Sequence, residues 1–204
     1  VLTLDAALDG CGAGIVRDGV VVAARVQGGG RGSSAVLPAM AQAVLAEAAV
    51  VPGSLAGIAV TVGPGSFTGV RAALALAHGI ALGAGVPVWG VTIGAALRAE
   101  LAAARPLWVA IDSKRGRVFL DDGVGVVSVG LDALPLPDFA IAVAGDAAVA
   151  VVSRLAARGF DVQLLRVGGP SPLGIAAGAR VAAFPLYVDP VEARPGPVGR
   201  PAPR

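Results

Sequence analysis

From Ala72 to Leu97 the chain carries no Lys, Arg, Asp or Glu, and Arg71 and Arg98 bracket the run. A stretch this long and apolar is either a membrane span or the buried heart of an α/β domain. Gly79, Gly83, Gly85, Pro87, Gly90 and Gly94 interrupt it, and small residues stand where a span is rich in Leu, Ile and Phe. A helix that ends near Gly83 to Gly85, followed by a buried strand from Val86 to Val91, accounts for the same residues without a bilayer. The mean hydropathy of +0.78 is then a property of core rather than of lipid contact. Asp5 and Asp9 interrupt the first ten residues, which is not the pattern of a secretory leader.

The flanking segments extend this reading. Val1 to Ala6 alternates apolar residues and reads as a strand, and Gly12 to Arg17 and Val20 to Val26 read as two more, joined through Asp18-Gly19, a hairpin turn pair. A Gly-rich loop runs from Gln27 to Ser34, and Ser33 or Ser34 can cap a helix over 35–49, with Pro38 tolerated in its first turn. Ile58 to Val62 lacks polar alternation and reads as a central strand covered on both faces. A helix from Thr68 to Leu82, the strand to Val91 and a Thr92-capped helix over 93–104 complete the first half.

Pro106 opens a second half. Leu107 to Ile111, Arg117 to Leu120, Val124 to Val129 and Phe139 to Ala144 read as strands. A helix over 147–157, a strand from Val162 to Val167 and a short helix after Pro172 follow. The pattern predicts an α/β protein with mixed sheets and helix crossovers in two lobes. That is also the layout of the actin-like ATPase, ribonuclease H-like group. The expected boundaries are 1–104, 105–184 and a Pro-rich tail, 185–204.

Counting removes several chemistries. One Cys and one His leave no internal disulfide for Cys11, no structural zinc site and no HExxH helix. A Ser-His-Asp or Cys-His centre, and hence a peptidase, would have to use His78, which sits inside LALAHGIAL as a helix residue. Sixteen basic and fourteen acidic groups give a net charge of +2, and aromatic residues are 4%. The isolated chain therefore lacks both the field and the stacking platforms of a nucleic-acid binder.

The most specific stretch is Gly63-Pro64-Gly65-Ser66-Phe67-Thr68-Gly69-Val70-Arg71. It reads as a strand, a tight turn and a helix start, with Ser66 and Thr68 as caps. Gly65, Ser66 and Thr68 form a candidate anion-binding turn, because free amides at a helix start attract anions. The bland reading is a turn that docks the helix on the sheet. It is not a Walker A loop, for GxxxxGK[ST] is absent.

Continued through Val91, this run resembles the signature of the TsaB family, a subunit of the bacterial machinery that makes threonylcarbamoyladenosine on tRNA. Leu4-Asp5-Ala6-Ala7, Val36-Leu37-Pro38, Ala110 to Gly116 and Pro185-Leu186-Tyr187-Val188 support the likeness. The resemblance implies the two-lobed actin-like ATPase fold and a cytoplasmic subunit outside the membrane. It also implies a pairing surface on the first two helices, which carried over would use Leu37, Met40, Val44, Val70, Leu74 and Ala77. On that expectation Leu74→Glu weakens pairing and spares the fold, whereas the alternative places both rows against the chain's own sheet.

The implied partners are a TsaD-like catalytic subunit and a TsaE-like ATPase, with a homodimer when the chain is alone and tRNA reached only through the complex. The catalytic relative binds metal through two His residues, and this chain has one. No cofactor of its own is expected, ATP or ADP and metal residing with the TsaD partner. The expected role is a non-catalytic subunit that binds and stabilises TsaD. The alternative is an active ATPase or small-molecule kinase using Asp5 and Asp112 on a magnesium nucleotide. The sequence after the first strand, Asp5-Ala6-Ala7-Leu8-Asp9-Gly10-Cys11, lacks the Gly-rich phosphate turn of active members of that fold.

Overall fold

The computed structural model describes residues 1–29, 33–178 and 180–188. Two mixed sheets are built on one strand plan used twice. In the first half β1 (Leu2–Asp5), β2 (Gly10–Arg17) and β3 (Val20–Gly28) form an antiparallel meander. Then β4 (Ile58–Gly63) and β5 (Val88–Thr92) add in parallel beside β1. In the second half β6 (Leu107–Asp112), β7 (Val118–Asp121) and β8 (Val126–Val129) form the meander, while β9 (Ile141–Ala144) and β10 (Val162–Arg166) add in parallel. The spatial orders, β5-β4-β1-β2-β3 and β10-β9-β6-β7-β8, are identical when shifted by five.

The helices are α1 (Leu37–Glu47), α2 (Phe67–Ala84), α3 (Ile93–Glu100), α4 (Ala148–Ala156) and α5 (Pro172–Ala177). Local chemistry sets most of their ends. The Ser66 hydroxyl accepts from the Gly69 amide at the start of α2, Thr92 does the same for Ala95 in α3, and Ser171 for Gly174 in α5. Gly85 closes α2 in a left-handed conformation at φ 70°, donating to the Ala81 carbonyl. At α1 the expectation fails. A 3-10 turn, Ser33–Val36, precedes the helix, so the cap position falls on Val36, which makes no side-chain cap bond. The third helix stops at Glu100 rather than running to 104, because the chain turns extended at Leu101 ahead of Pro106.

Every residue of β4 is buried, as its unbroken apolar sequence demands. Leu2, Leu4, Ile58, Val60 and Val62 pack with Ala41 and Val44 of α1 and Val70, Ala73 and Ala77 of α2. On the opposite face Ala59 and Val91 meet Ala96 of α3 and Ile175 of α5. Trp108, Ala110, Ile141 and Val143 pack beneath Ala148, Val151 and Leu155 of α4. Leu107, Val109, Ile111, Ala142 and Ala144 instead join the first sheet's core beside Ile93 and Leu97. The two halves share one continuous core.

That sharing corrects the expected boundaries. Residues after β10 leave the second sheet: α5 packs on α3 and on the first sheet, and β11 (Arg180–Val181) pairs antiparallel with β5. The segment 172–181 thus belongs with the first half, because α5 fills the face of the first sheet around Thr3 and Gly14 that no earlier helix covers. The segment Pro185 to Val188, expected to open the tail, is docked, and the Leu186 amide donates to the Val62 carbonyl at 2.8 Å. The rest of the expected tail, from Asp189, lies outside the described residues.

At α3 the halves are also tied by charge. The Arg98 guanidinium donates to both carboxylate oxygens of Asp121 in β7, at 3.1 and 2.7 Å, and to the Asp121 and Leu107 carbonyls. Asp121 retains only 8% of its side-chain exposure. Glu100 accepts from Arg166 of β10 at 2.6 Å and from the Ser171 amide at 3.0 Å. Asp121→Ala strands the guanidinium at a sheet junction, and urea unfolding should register a loss of about 3 kcal/mol. Asp161→Ala, which breaks the exposed pair with Arg105, should change stability by less than about 1 kcal/mol in the same measurement.

Candidate functional site

Strand β1 ends at Asp5, which is half-buried and whose carboxyl accepts from the Thr61 hydroxyl at 2.5 Å and the Ala7 amide at 2.9 Å. Burial pushes its pKa above the ordinary value of 3.8, against the pull of Thr61 and of the Ala7 and Ala6 amides. The loop that follows, Ala6-Ala7, is clamped by the Gly63-to-Gly69 turn. The Ser66 amide donates to the Ala7 carbonyl at 2.6 Å. A Cβ on Gly65 would stand 2.0 Å from that carbonyl oxygen, and one on Gly69 would stand 1.9 Å from the Ala6 oxygen. Gly65, at φ 153°, and Gly69 are therefore glycine because backbone must touch backbone here.

This clamp bears on the anion-binding turn expected at Gly65, Ser66 and Thr68. The Ser66 amide is committed to Ala7, the Gly69 amide to the Ser66 hydroxyl and the Val70 amide to the Ser66 carbonyl. These three bonds dock the turn against the Ala6-Ala7 loop and close the first turn of α2. Thr68 lies exposed.

The equivalent position in the second half is Asp112, at the end of β6. Its surroundings differ completely. Lys114 lies on the turn that follows, at φ 59°, with its amide on Asp112 Oδ1 at 2.7 Å and its ammonium 3.2 Å from Asp112 Oδ2. The same ammonium is 3.9 Å from Oδ2 of Asp146. Asp146 Oδ1 accepts the Asp112 amide at 2.8 Å, while its Oδ2 is buried without a hydrogen bond. Burial draws the Lys114 ammonium down, but the hydrogen bond and charge of Asp112, with the charges of Asp146 and Asp9, outweigh it and hold it above the usual lysine value. Burial lifts the Asp146 carboxyl, against the Asp112 amide and Lys114.

Asp5 and Asp112 thus have separate partners, Thr61 and Ala7 for one and Lys114 for the other. Among the described residues no group of three or more His, Cys, Asp or Glu could hold a metal ion.

Between the two turns lies a cleft of about 460 Å³, lined by Ser66, Phe67, Lys114, Arg115, Phe119 and Tyr187 among others. Its far wall is the docked C-terminal segment. The Arg71 guanidinium lies 3.2 Å from the centre of the Phe67 ring and bonds the Tyr187 hydroxyl at 2.5 Å. His78 also serves this segment, with Nε2 3.1 Å from the Ala183 carbonyl. Periodicity could not find these contacts, because four irregular residues have no period. The Leu-Tyr-Val run between prolines was the available signal.

The expected pairing residues are placed inward. Leu37, Val44, Val70, Leu74 and Ala77 belong to the chain's own core, and Met40 is half-buried with its sulfur 3.7 Å from Cys11 Sγ. The expectation for Leu74→Glu is therefore corrected: Leu74 is a core residue, and a carboxylate there opposes folding. What the helices turn outward is different. On α1 it is Pro38, Ala39, Gln42, Ala46 and Glu47; on α2 it is Ala75, His78, Gly79, Leu82 and Gly83. Leu82 is 88% exposed. By length and apolarity α2 could cross a membrane, yet one side of it, from Gly69 to Ala81, is buried against the first sheet.

The raised Asp5 carboxyl gives a stability signature. The folded chain holds that proton where the unfolded chain has lost it, so the contribution is complete below pH 3.8 and vanishes as pH rises through the raised folded value. Asp5→Asn keeps an oxygen for Thr61 and Ala7 and removes the titration. Melting curves from pH 4 to 8 should show the wild type losing stability relative to Asp5→Asn by at most about 1.4 kcal/mol per pH unit. Parallel curves would refute it.

Sequence and structure comparisons agree with this architecture. The profile of the family described as TsaD, tRNA N6-adenosine threonylcarbamoyltransferase, matches residues 27–163. An uncharacterized protein of Mycobacterium tuberculosis is 32% identical over 207 residues, covering 96% of this chain and 94% of its own. The tRNA threonylcarbamoyladenosine biosynthesis protein TsaB of Escherichia coli is 33% identical over 123 residues, 58% of this chain and 52% of its own. YeaZ of Pseudomonas aeruginosa superimposes with a TM-score of 0.73 at 22% identity, covering 91% of this chain and 98% of that one. The twice-used strand plan is that of the actin-like ATPase fold, and the chain belongs to the family described as TsaD, tRNA N6-adenosine threonylcarbamoyltransferase.

Proposed function

We propose that the chain is a non-catalytic subunit that binds and stabilises a TsaD-type partner, which transfers threonylcarbamoyl to the adenosine beside the anticodon. The observation that carries this reading is the outward face of α2. No acidic residue occurs in the helix, and Arg71 and His78 are occupied, Arg71 by Tyr187 and His78 by the Ala183 carbonyl. What remains is Ala75, Gly79, Leu82 and Gly83 in the open. Small side chains let another helix approach closely, and Leu82 supplies an anchor for it.

The same face serves two copies of the chain when the partner is absent. A TsaE-type ATPase joins the assembly, and tRNA is reached through the complex, in keeping with a net charge of only +2. ATP or ADP and the metal belong to the partner, and the whole works in the cytoplasm without a membrane.

Mixing the purified chain with the TsaD-type protein of its own source should give a complex on size exclusion and raise threonylcarbamoyladenosine formation on tRNA. Leu82→Glu should weaken that complex at least about tenfold. Its melting temperature should stay within the change of about 0.5 kcal/mol usual for a surface site. Absence of a complex, or indifference of binding to Leu82→Glu, would defeat the assignment. ATP turnover by the isolated chain that disappears in Asp5→Asn would favour an enzyme instead.

A further inference from the structure

The cleft of about 460 Å³ draws its walls from three separate parts of the chain. The turn into α2 brings Phe67, the turn between β6 and β7 brings Lys114 and Arg115, and the docked C-terminal segment brings Leu186 and Tyr187. A cavity of that volume is within the range of small-molecule sites. Each wall is fixed by the chain itself. The Ser66 amide holds the first on Ala7, and the Leu186 amide holds the third on Val62. In the second, the Ser113 hydroxyl accepts the Arg115 and Arg117 amides and donates to the Arg117 carbonyl.

The charge of these walls is one-sided. Among the described residues that line the cleft there is no Asp or Glu. Lys114 contributes little to the imbalance, because Asp112 stands 3.2 Å from its ammonium. Arg115 is placed differently. Its amide is bonded to Ser113, but among the described residues its guanidinium has no hydrogen bond or ion pair. Arg71, against the Phe67 ring, meets a neutral phenol, Tyr187, and no carboxylate among the described residues. A guanidinium beside apolar walls attracts an anion more strongly than one surrounded by water, and its planar fork matches a carboxylate.

We propose that the cleft binds a small organic carboxylate, its anionic end on the Arg115 guanidinium and its apolar body against Phe119 and Tyr187. One unmatched cation in the walls suits a single negative charge. A phosphate dianion would call on Lys114 as well, whose charge Asp112 already holds. The rings, with Pro185 and Leu186, favour a ligand that carries apolar surface into the cleft. This site is independent of the reading as a partner subunit. Ligand binding is measured on the isolated chain and complex formation on the mixture, so either can fail alone.

The test titrates hydrocinnamate into the full chain, followed by calorimetry and by saturation transfer in the ligand's magnetic resonance spectrum. Hydrocinnamate should bind with a millimolar Kd or tighter. Its neutral amide and acetate should each bind at least about tenfold more weakly, the one lacking charge and the other an apolar body. Arg115→Met should weaken hydrocinnamate binding at least about tenfold at an unchanged melting temperature, since Arg115 is exposed. Arg17→Met, at an exposed site on β2, should bind as the wild type does.

No binding of hydrocinnamate, or equal binding by Arg115→Met or of the neutral amide, would overturn the proposal. Tighter, Arg115-dependent binding of phenyl phosphate or adenosine monophosphate would overturn it too, by making the cleft a phosphate or nucleotide site.

Discussion

Helix α3 holds the molecule to a single arrangement. From eight residues it sends Arg98 to Asp121 on one side of the second sheet and Glu100 to Arg166 and Ser171 on the other. The driving force for joining the halves is the shared apolar core, which is non-directional. Hydrophobic contact alone would tolerate many rotations of one sheet over the other. Enclosed charges do not, because each misplacement leaves an ion without its counter-ion. The ion pairs on α3 therefore select the geometry that the core makes favourable, and the Asp5 and Asp112 ends of the two meanders are held in place as a result.

Those two ends show how repeated halves diverge. Both carry an aspartate at the close of the first strand. In the first half the carboxyl is held by the Thr61 hydroxyl and the Ala7 amide, and the Ala6-Ala7 loop itself is pinned by the Gly65 and Gly69 contacts. In the second half the carboxyl meets a lysine from its own turn. Neither environment resembles an open phosphate cradle. One fold thus closes the same strand end in two ways, with backbone contacts in the first half and an ion pair in the second.

The sequence made the strand order legible because period and burial agree. Ile58 to Val62 has no polar alternation and is fully covered; Val20 to Val26 alternates poorly and becomes an exposed edge. Ser66, Thr92 and Gly85 mark helix ends through bonds that need only near neighbours. The misses arise where the deciding partner is distant. Strand β11 has two residues, too few for a period, and exists because β5 offers an edge. The inward placement of Leu74 and Ala77 was not legible, since α2 is apolar almost all round and its inner side is set by the sheet beneath. The contact of Lys114 with Asp146 was hidden for the same reason, because Asp146 lies far along the chain.

The doubling of the strand plan is incomplete in one respect. Between β3 and β4 the chain inserts α1, whereas between β8 and β9 it has only a 3-10 turn, Leu131–Ala133. The α1 and α2 surface consequently occurs once per molecule among the described residues, with no copy on the opposite end. On the proposed function, recognition through it is self-limiting: one chain engages one neighbour there, and the association closes as a pair instead of growing into a filament.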